Sequence, residues 1–399
     1  ITPACGFVTP TGGLIIGQQY GVTTNGLLTG SNSGTIRGTN ANGGLNGTGI
    51  LIGNGGNFTN NAGGQIVGAN FGVRNNAGAF TLSNAGTISG TSEGVSSVGA
   101  LTLTNTGTIS GGTFAGVAFR GTGSLHNSGT ITGGTNYYAV QNASANGYTT
   151  IHNQSGGVIT GGTAGSILID GNGTTEVYLA SGSTTNGQIR AVGTGVRYIT
   201  VVGLLNGAYE ASSNSGNDYL TLGATGSMSS ANLGNGNDTF LYAGGTFSGV
   251  IDAGGGTDNF FSQFSGSATI NHGNLTNFEL YLHQAGSLTL TGSATSRPGW
   301  IVDGGDLTLA GMLGVTNGVN GVNLAGADTT FSTTATGNLT GSDFSAVRVT
   351  GAGSTVNNLG SITNASPNGD GIGAGVLSQT TSGSNVINNG SASNGTASL

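Results

Sequence analysis

The sequence predicts an all-β fold, a right-handed parallel β-helix in which three-sided turns stack as a solenoid. Composition is the first reason. Of the 399 residues, 83 are Gly and only 5% are charged, a bias that disfavours helices and favours short strands with many turns. The second reason is a repeat, Asn-x-Gly-Thr-Ile-x-Gly, which begins at Asn32, Asn84, Asn105 and Asn127. The steps from 84 to 105 and from 105 to 127 are too short for helical-hairpin repeats or propeller blades, and they suit one turn of a β-helix.

The repeat also defines a predicted core. Two looser copies, residues 61–68 and 154–161, carry an additional Gly. Each copy contains one Ile, which we expect to point inward and to stack on the Ile of the preceding turn. These residues are Ile36, Ile66, Ile88, Ile109, Ile131 and Ile159.

Each repeat divides into three short strands joined by turns. Residues 80–83 and 101–104 alternate apolar and polar side chains, which indicates strands with one buried face. The Asn-x-Gly segment is expected to turn the corner by adopting positive φ, which Asn and Gly accept. The Thr-Ile-Ser or Thr-Ile-Thr segment then forms the second strand, and residues 115–119 supply the third side in their repeat.

The predicted organisation is one continuous solenoid with four stretches of different wording. They are an N-terminal segment with the first turns (1–27), turns with Asn-x-Gly-Thr-Ile repeats (28–165), turns with Gly-Asn-x-Asp-type corners (166–296) and continuing turns (297–399). Residues 297–300 interrupt the pattern, but no linker separates independent domains. Because solenoids need polar caps and residues 386–391 form one more repeat, we expect a truncated C-terminal turn.

Three acidic corners suggest a polar ladder. Asp218, Asp238 and Asp258 follow Gly-rich turns at intervals of 20 residues, so one Asp falls on each turn. The last two turns resemble the Gly-Gly-x-Gly-x-Asp repeats of calcium-binding β-rolls. Stacked carboxylates about 4.8 Å apart can bridge a cation, or each Asp can cap its own turn. Calcium is therefore a candidate ligand of these three residues, with turn capping as the alternative, and no other cofactor is expected.

Charge and motif content exclude several functions. All seven cationic residues are Arg and they are scattered along the sequence, so no basic surface for nucleic acid is expected. No apolar run reaches the length of a membrane-spanning helix. Paired carboxylates of the glycosidase type are missing from the sequence, as is a Gly-Asp-Ser-Gly motif, and His272 is expected to be a surface or turn residue. The chain is therefore predicted not to be an enzyme.

One local aromatic pair stands out as a candidate binding feature. Tyr137 and Tyr138 are adjacent in a longer repeat that spans residues 135–150. The pair predicts either a binding protrusion on this turn or a hydrophobic corner.

The succession of these phrases resembles the passenger region of bacterial autotransporters, the β-helical part of type V secretion proteins. The resemblance covers most of residues 28–395. It rests on the Asn-x-Gly-Thr-Ile-x-Gly turns together with the segments 177–183, 233–240, 251–258, 275–280 and 286–292. The family's signal peptide and translocator barrel are not part of this sequence.

The resemblance implies secretion to the surface of a Gram-negative outer membrane. It implies an adhesin that contacts a protein or glycan on a host or neighbouring cell, with self-association between copies as a further expectation. The alternative is a structural surface polymer or filament subunit whose copies stack end to end.

Overall fold

A computed structural model describes residues 5–42, 44–315, 319–341, 344–364, 374–380 and 383–390. It confirms the predicted all-β parallel β-helix, with about 16 turns and three stacked sheets. Among the described residues the only helical element is one 3₁₀ turn, His272–Asn274, and no helix has the length and apolar character to cross a bilayer. The chain divides into two compact units, 1–220 with 225–235 and 246–248, and 221–224 with 236–245 and 249–399.

The first unit consists of parallel strands in three sheets. Sheet A contains Cys5–Thr9, Leu28–Asn32, Gly56–Asn60, Phe80–Asn84, Leu101–Asn105, Gly123–Asn127, Tyr148–Asn153, Thr174–Leu179, Arg197–Val201 and Asp218–Leu222, whose last two residues belong to the second unit. Sheet B contains Leu14–Gly17, Thr35–Gly38, Gln65–Gly68, Thr87–Gly90, Thr108–Gly111, Thr130–Thr132, Val158–Thr160, Thr184–Asn186, Leu204–Asn206, Ser227–Met228 and Thr246–Phe247. Sheet C contains Tyr20–Thr24, Thr48–Ile52, Phe71–Asn75, Glu93–Ser97, Val117–Phe119, Val140–Asn142, Ile167–Ile169, Ile189–Gly193, Tyr209–Asn214 and Ala231–Asn232.

The predicted column of isoleucines is the centre of sheet B. Ile36 pairs with Ile66, Ile66 with Ile88, and the register continues turn by turn to Ile159. All six side chains are completely buried. Each Ile therefore covers the one before it, which is how a short turn without a core of its own becomes stable.

The conserved geometry of the corner comes from stacking and not from positive φ, so the expectation for the Asn-x-Gly segment is wrong. Neither Asn105 nor Gly107 has positive φ, and the same holds for the other regular copies. A Cβ on Gly107 would overlap the carbonyl oxygen of Gly86 one turn earlier, so only Gly fits there. Positive φ occurs at the additional glycines of the looser copies, Gly63 and Gly156, with φ of 81° and 80°.

The repeat asparagines form a buried ladder of amides along this corner. Asn84 Nδ2 donates to Asn105 Oδ1 at 2.7 Å, and Asn105 Nδ2 donates to Asn127 Oδ1 at 2.8 Å. In the looser copies the ladder residues are Asn60 and Asn153, and not positions 61 and 154 as the motif alignment suggests. The ladder runs from Asn32 through Asn60, Asn84, Asn105 and Asn127 to Asn153, which donates to Thr185 Oγ1.

The second unit continues with short parallel strands after two long ones. Its strands are Thr239–Tyr242, Ile251–Asp252, Gly255–Gly256, Asn259–Asn271, Leu275–Thr276, Leu280–Thr291, Ser293–Arg297, Trp300–Val302, Asp306–Leu309, Met312–Val315, Val322–Leu324, Thr330–Thr333, Asn338–Gly341, Val347–Val349, Thr355–Asn358, Ser361–Asn364, Val376–Ser378 and Val386–Asn389, with the short strand Asn235–Gly236 at the division. Leu280–Thr291 pairs with both Trp300–Val302 and Asp306–Leu309. One long strand thus serves two sides of the next turn.

Aromatic side chains fill the core of the second unit where the long strands lie. Phe260, Tyr281 and Trp300 are buried on successive strands. The ring centroids of Tyr281 and Trp300 are 5.1 Å apart, and those of Phe260 and Trp300 are 5.5 Å apart. The interruption at residues 297–300 therefore brings in the only Trp of the sequence as a core residue.

Candidate functional site

The outer face of sheet A changes character along the first unit. Side chains alternate between the core and the outer face on each strand, as period-2 geometry requires. On the earlier turns the outward positions carry small hydroxyl groups, for example Thr81 and Ser83, then Thr102 and Thr104. From Gly123–Asn127 onward, imidazole, phenol and carboxylate groups take these positions.

One column of this surface consists of His126, His152 and Tyr178. The strand register places these three residues side by side on consecutive turns. The rings meet edge to face, with centroid distances of 5.2 Å between the two histidines and 5.8 Å between His152 and Tyr178. Edge-to-face contact of this kind fixes the ring orientations relative to one another.

The neighbouring column contains two parallel tyrosine rings. Tyr198 lies beside Glu176 in the register, and its ring stacks on that of Tyr219 with centroids 5.0 Å apart and planes inclined by 13°. Exposed fractions of 43% for Tyr198 and 38% for Tyr219 leave ring surface open to solvent. Two nearly coplanar aromatic surfaces are therefore presented on adjacent turns.

Glu176 connects the two columns through hydrogen bonds. Tyr148 donates its hydroxyl to Glu176 Oε2, and His152 Nε2 lies 2.9 Å from Glu176 Oε1. The hydrogen bond from Tyr148 lowers the pKa of Glu176, and the same bond raises the pKa of Tyr148 to about 12. Glu176 is thus a carboxylate at neutral pH, surrounded by donors. We call these seven residues the aromatic stripe: His126, Tyr148, His152, Glu176, Tyr178, Tyr198 and Tyr219.

The aromatic stripe was not found from the sequence, although a signal exists. Tyr178, Tyr198 and Tyr219 are separated by 20 and 21 residues, which is one turn each. The interval between Tyr148 and Tyr178 is longer because a loop extends the turn between them, so the spacing does not read as a repeat.

The structure separates the two tyrosines predicted as a binding feature. Tyr138 is buried, with 5% of its surface exposed. Tyr137 packs edge to face against both Tyr138 and Phe114, with centroids 5.7 Å and 5.3 Å apart. Its hydroxyl donates to Gln141 Oε1, and burial raises its pKa. Tyr137 and Tyr138 therefore form an aromatic corner from which the exposed Phe114 projects.

Arginines that are scattered in sequence meet near this corner. Arg120 forms an ion pair with Glu93, which is buried. Arg74 donates to Ser96 Oγ at 2.8 Å on the same sheet, and burial followed by repulsion from Arg120 lowers its pKa. The group is held by internal partners, which fits a structural role.

The three predicted ladder aspartates are completely buried. In the first unit, Asp218 accepts hydrogen bonds from Tyr209 Oη at 2.6 Å and Asn214 Nδ2 at 2.7 Å. In the second unit, the backbone N–H of Asp238 donates to Asp258 Oδ1 at 2.6 Å. Each of these bonds stabilises a carboxylate at the start of a strand.

A fourth carboxylate continues the series in the second unit. The backbone N–H of Asp258 donates to Glu279 Oε2 at 2.6 Å, one turn of 21 residues later. Burial raises the pKa of Asp258 to about 6. Within the described ranges, no group of three or more His, Cys, Asp or Glu side chains is arranged to hold a metal ion. The calcium hypothesis remains a prediction from spacing.

His272 differs from the expected surface or turn residue, since it is completely buried in the 3₁₀ turn. Burial lowers its pKa to about 4. Its backbone carbonyl accepts from Arg297 Nη1 at 2.7 Å, and Arg297 also lies over the ring of Tyr281. His272 therefore belongs to the packing of the second unit.

Comparison with protein-family models, curated proteins and solved structures finds no match to this chain.

Proposed function

We propose that this chain is the secreted passenger of an autotransporter, displayed on a Gram-negative cell surface, where it acts as an adhesin that binds glycans through the aromatic stripe. The parallel β-solenoid and the repeat wording support the passenger assignment. The observation that carries the binding role is the set of outward tyrosines on consecutive turns, Tyr178, Tyr198 and Tyr219.

Sugar rings suit this surface for a chemical reason. A pyranose presents C–H groups on its faces, and the negative face of an aromatic ring attracts such partially positive hydrogens. The stacked rings of Tyr198 and Tyr219 give a flat surface for this contact. Beside them, the carboxylate of Glu176 accepts hydrogen bonds, and the imidazoles of His126 and His152 offer further polar atoms to sugar hydroxyls.

Position on a repeating scaffold also favours adhesion. Adjacent strands are about 4.8 Å apart, so the stripe presents its groups at regular intervals to an extended chain of sugars. Individual contacts of this kind are weak, but many copies displayed on one cell act together and raise the overall avidity.

The test is glycan binding by the purified chain on an array of cell-surface and polysaccharide glycans. A variant with Tyr178→Ala, Tyr198→Ala and Tyr219→Ala is expected to lose at least about tenfold in affinity, which corresponds to about 1.4 kcal/mol. The matched control replaces outward hydroxyl residues of the same sheet, Thr102→Ala and Thr104→Ala, and is expected to bind normally. Glycan binding that survives in the triple variant, or a folded chain that binds no glycan, would refute the proposal.

A further inference from the structure

A groove in the second unit forms a separate ligand site. Its floor is made by the outward residues of four paired strands, and the register aligns Ile301, Asn323, Arg348 and Leu377 in that order. The groove has a volume of about 380 Å³, and a smaller recess of about 160 Å³ shares Asn320, Phe344 and Arg348 with it. This size is typical of sites for small molecules.

The wall of the groove is built by the residues that precede each floor strand. Pro298 and Gly299 precede Trp300–Val302, and Val319 and Asn320 come shortly before Val322–Leu324. Phe344 precedes Val347–Val349 and is 44% exposed. Together with Leu280 and Ile301, these side chains give the groove apolar surfaces on which a flat ligand can rest.

Two polar groups in the floor lack a complementary partner. Asn323 Oδ1 is buried and accepts no hydrogen bond, which is costly unless a ligand supplies a donor. Arg348 Nε donates to the neutral Gln379 Oε1 at 2.9 Å, and no carboxylate among the described residues forms an ion pair with this guanidinium. The floor therefore needs a donor at Asn323 and an anion at Arg348.

The geometry of the strands sets the distance between these two needs. Asn323 and Arg348 are register partners on adjacent strands, so their positions are about 4.8 Å apart. Glu279 lines the opposite end of the groove, where its negative charge disfavours a second anion. A ligand must therefore be short, carry one carboxylate, and carry a hydroxyl donor near it.

We propose that this groove binds a carboxylated pyranose of the uronic acid class. The carboxylate pairs with the guanidinium of Arg348, a ring hydroxyl donates to Asn323 Oδ1, and the C–H face of the ring rests against Phe344. Charge-assisted pairing with Arg supplies the selectivity for the acid over the neutral sugar. The site does not depend on the aromatic stripe, which belongs to the first unit.

Two ligands that differ at one carbon test the proposal on the full chain. Methyl β-D-glucuronide carries a carboxylate where methyl β-D-glucoside carries a hydroxymethyl group, and both can be titrated by ligand-observed NMR. The glucuronide is expected to bind about tenfold more tightly than the glucoside. Equal binding of the two sugars, or no binding of either at concentrations on the order of tens of millimolar, overturns the proposal.

Variants locate the binding. Arg348→Gln is expected to remove the preference for the acid, and Phe344→Ala is expected to weaken both sugars. The matched controls are Arg190→Gln and Phe114→Ala, an exposed Arg and an exposed Phe of the first unit, which are expected to change nothing. The fluorescence of buried Trp300 checks that each variant is folded. A folded Arg348→Gln variant that keeps the preference overturns the assignment, as does tighter binding of an acetylated dipeptide carboxylate than of the glucuronide.

Discussion

Replacing one asparagine of the buried ladder should cost the first unit far more than its size suggests. Asn105 accepts from Asn84 Nδ2 at 2.7 Å and donates to Asn127 Oδ1 at 2.8 Å. It also donates to the carbonyl oxygen of Gly107 at 3.2 Å. Asn105→Ala removes all of these bonds and leaves Asn127 Oδ1 buried without its donor.

The expected loss can be summed from these contacts. Two buried amide–amide hydrogen bonds contribute about 1 kcal/mol each, and a stranded buried acceptor costs about 1–3 kcal/mol. Asn105→Ala should therefore lower the local free energy of unfolding by about 3–5 kcal/mol. Asn32 stands at the start of the ladder and forms only one amide–amide bond, with Asn60 at 2.8 Å. Asn32→Ala should cost about 1 kcal/mol less.

Urea unfolding followed by far-UV circular dichroism measures the loss, together with amide hydrogen exchange in Leu101–Asn105. Exchange is included because repeat structures can open locally. The control is Thr104→Ala, which removes an exposed side chain of the same strand and should change stability by about 0.5 kcal/mol at most. If Asn105→Ala is no more destabilising than Thr104→Ala, the ladder does not stabilise the fold and the reasoning is wrong.

Three further changes test other parts of the structure. Gly107→Ala should prevent normal stacking at its corner, whereas Gly63→Ala, which meets nothing within 4 Å, should cost only about 1–2 kcal/mol from its positive φ; equal urea midpoints would contradict this. Because the folded-state pKa of Asp258 is about 6, above its ordinary value, its ionisation destabilises the second unit as pH rises through 6. Asp258→Asn should therefore gain about 1–3 kcal/mol at pH about 8 and nothing at pH about 3, and a loss of stability at pH about 8 would refute it. For His272 the folded pKa of about 4 lies below the ordinary value, so its contribution to stability declines as pH falls from about 6.5 towards 4. A His272→Gln variant should lack this component in urea titrations followed by Trp300 fluorescence, and an unchanged pH profile would contradict the assignment.

Periodicity predicted the parts of the fold that depend on one residue per turn. The stack from Ile36 to Ile159 follows directly from the repeat, because an apolar residue at a fixed place in each turn has only the core to occupy. The role of Asn was harder to read, because Asn accepts positive φ and also forms amide hydrogen bonds. The choice between Asn60 and residue 61 depends on how the additional Gly is accommodated, which only the register shows.

The candidate sites depend on loops, and loop lengths obscure the spacing. Tyr148 and Tyr178 belong to the same surface although 30 residues separate them. The groove of the second unit needs Phe344 from a wall and Arg348 from a floor strand, which share no motif with Asn323 or Ile301. The buried state of Tyr138 and His272 was equally hidden, since an isolated polar aromatic residue carries no periodic signal.

The amide ladder also has a consequence for how such a chain changes length. Every internal member offers the same acceptor to one neighbour and the same donor to the other, as Asn84, Asn105 and Asn127 do. When a whole turn is deleted or duplicated, the remaining amides meet identical partners and the ladder closes again. Turn number can thus vary by unequal recombination without loss of the core, while insertions of a few residues are tolerated only between ladder positions.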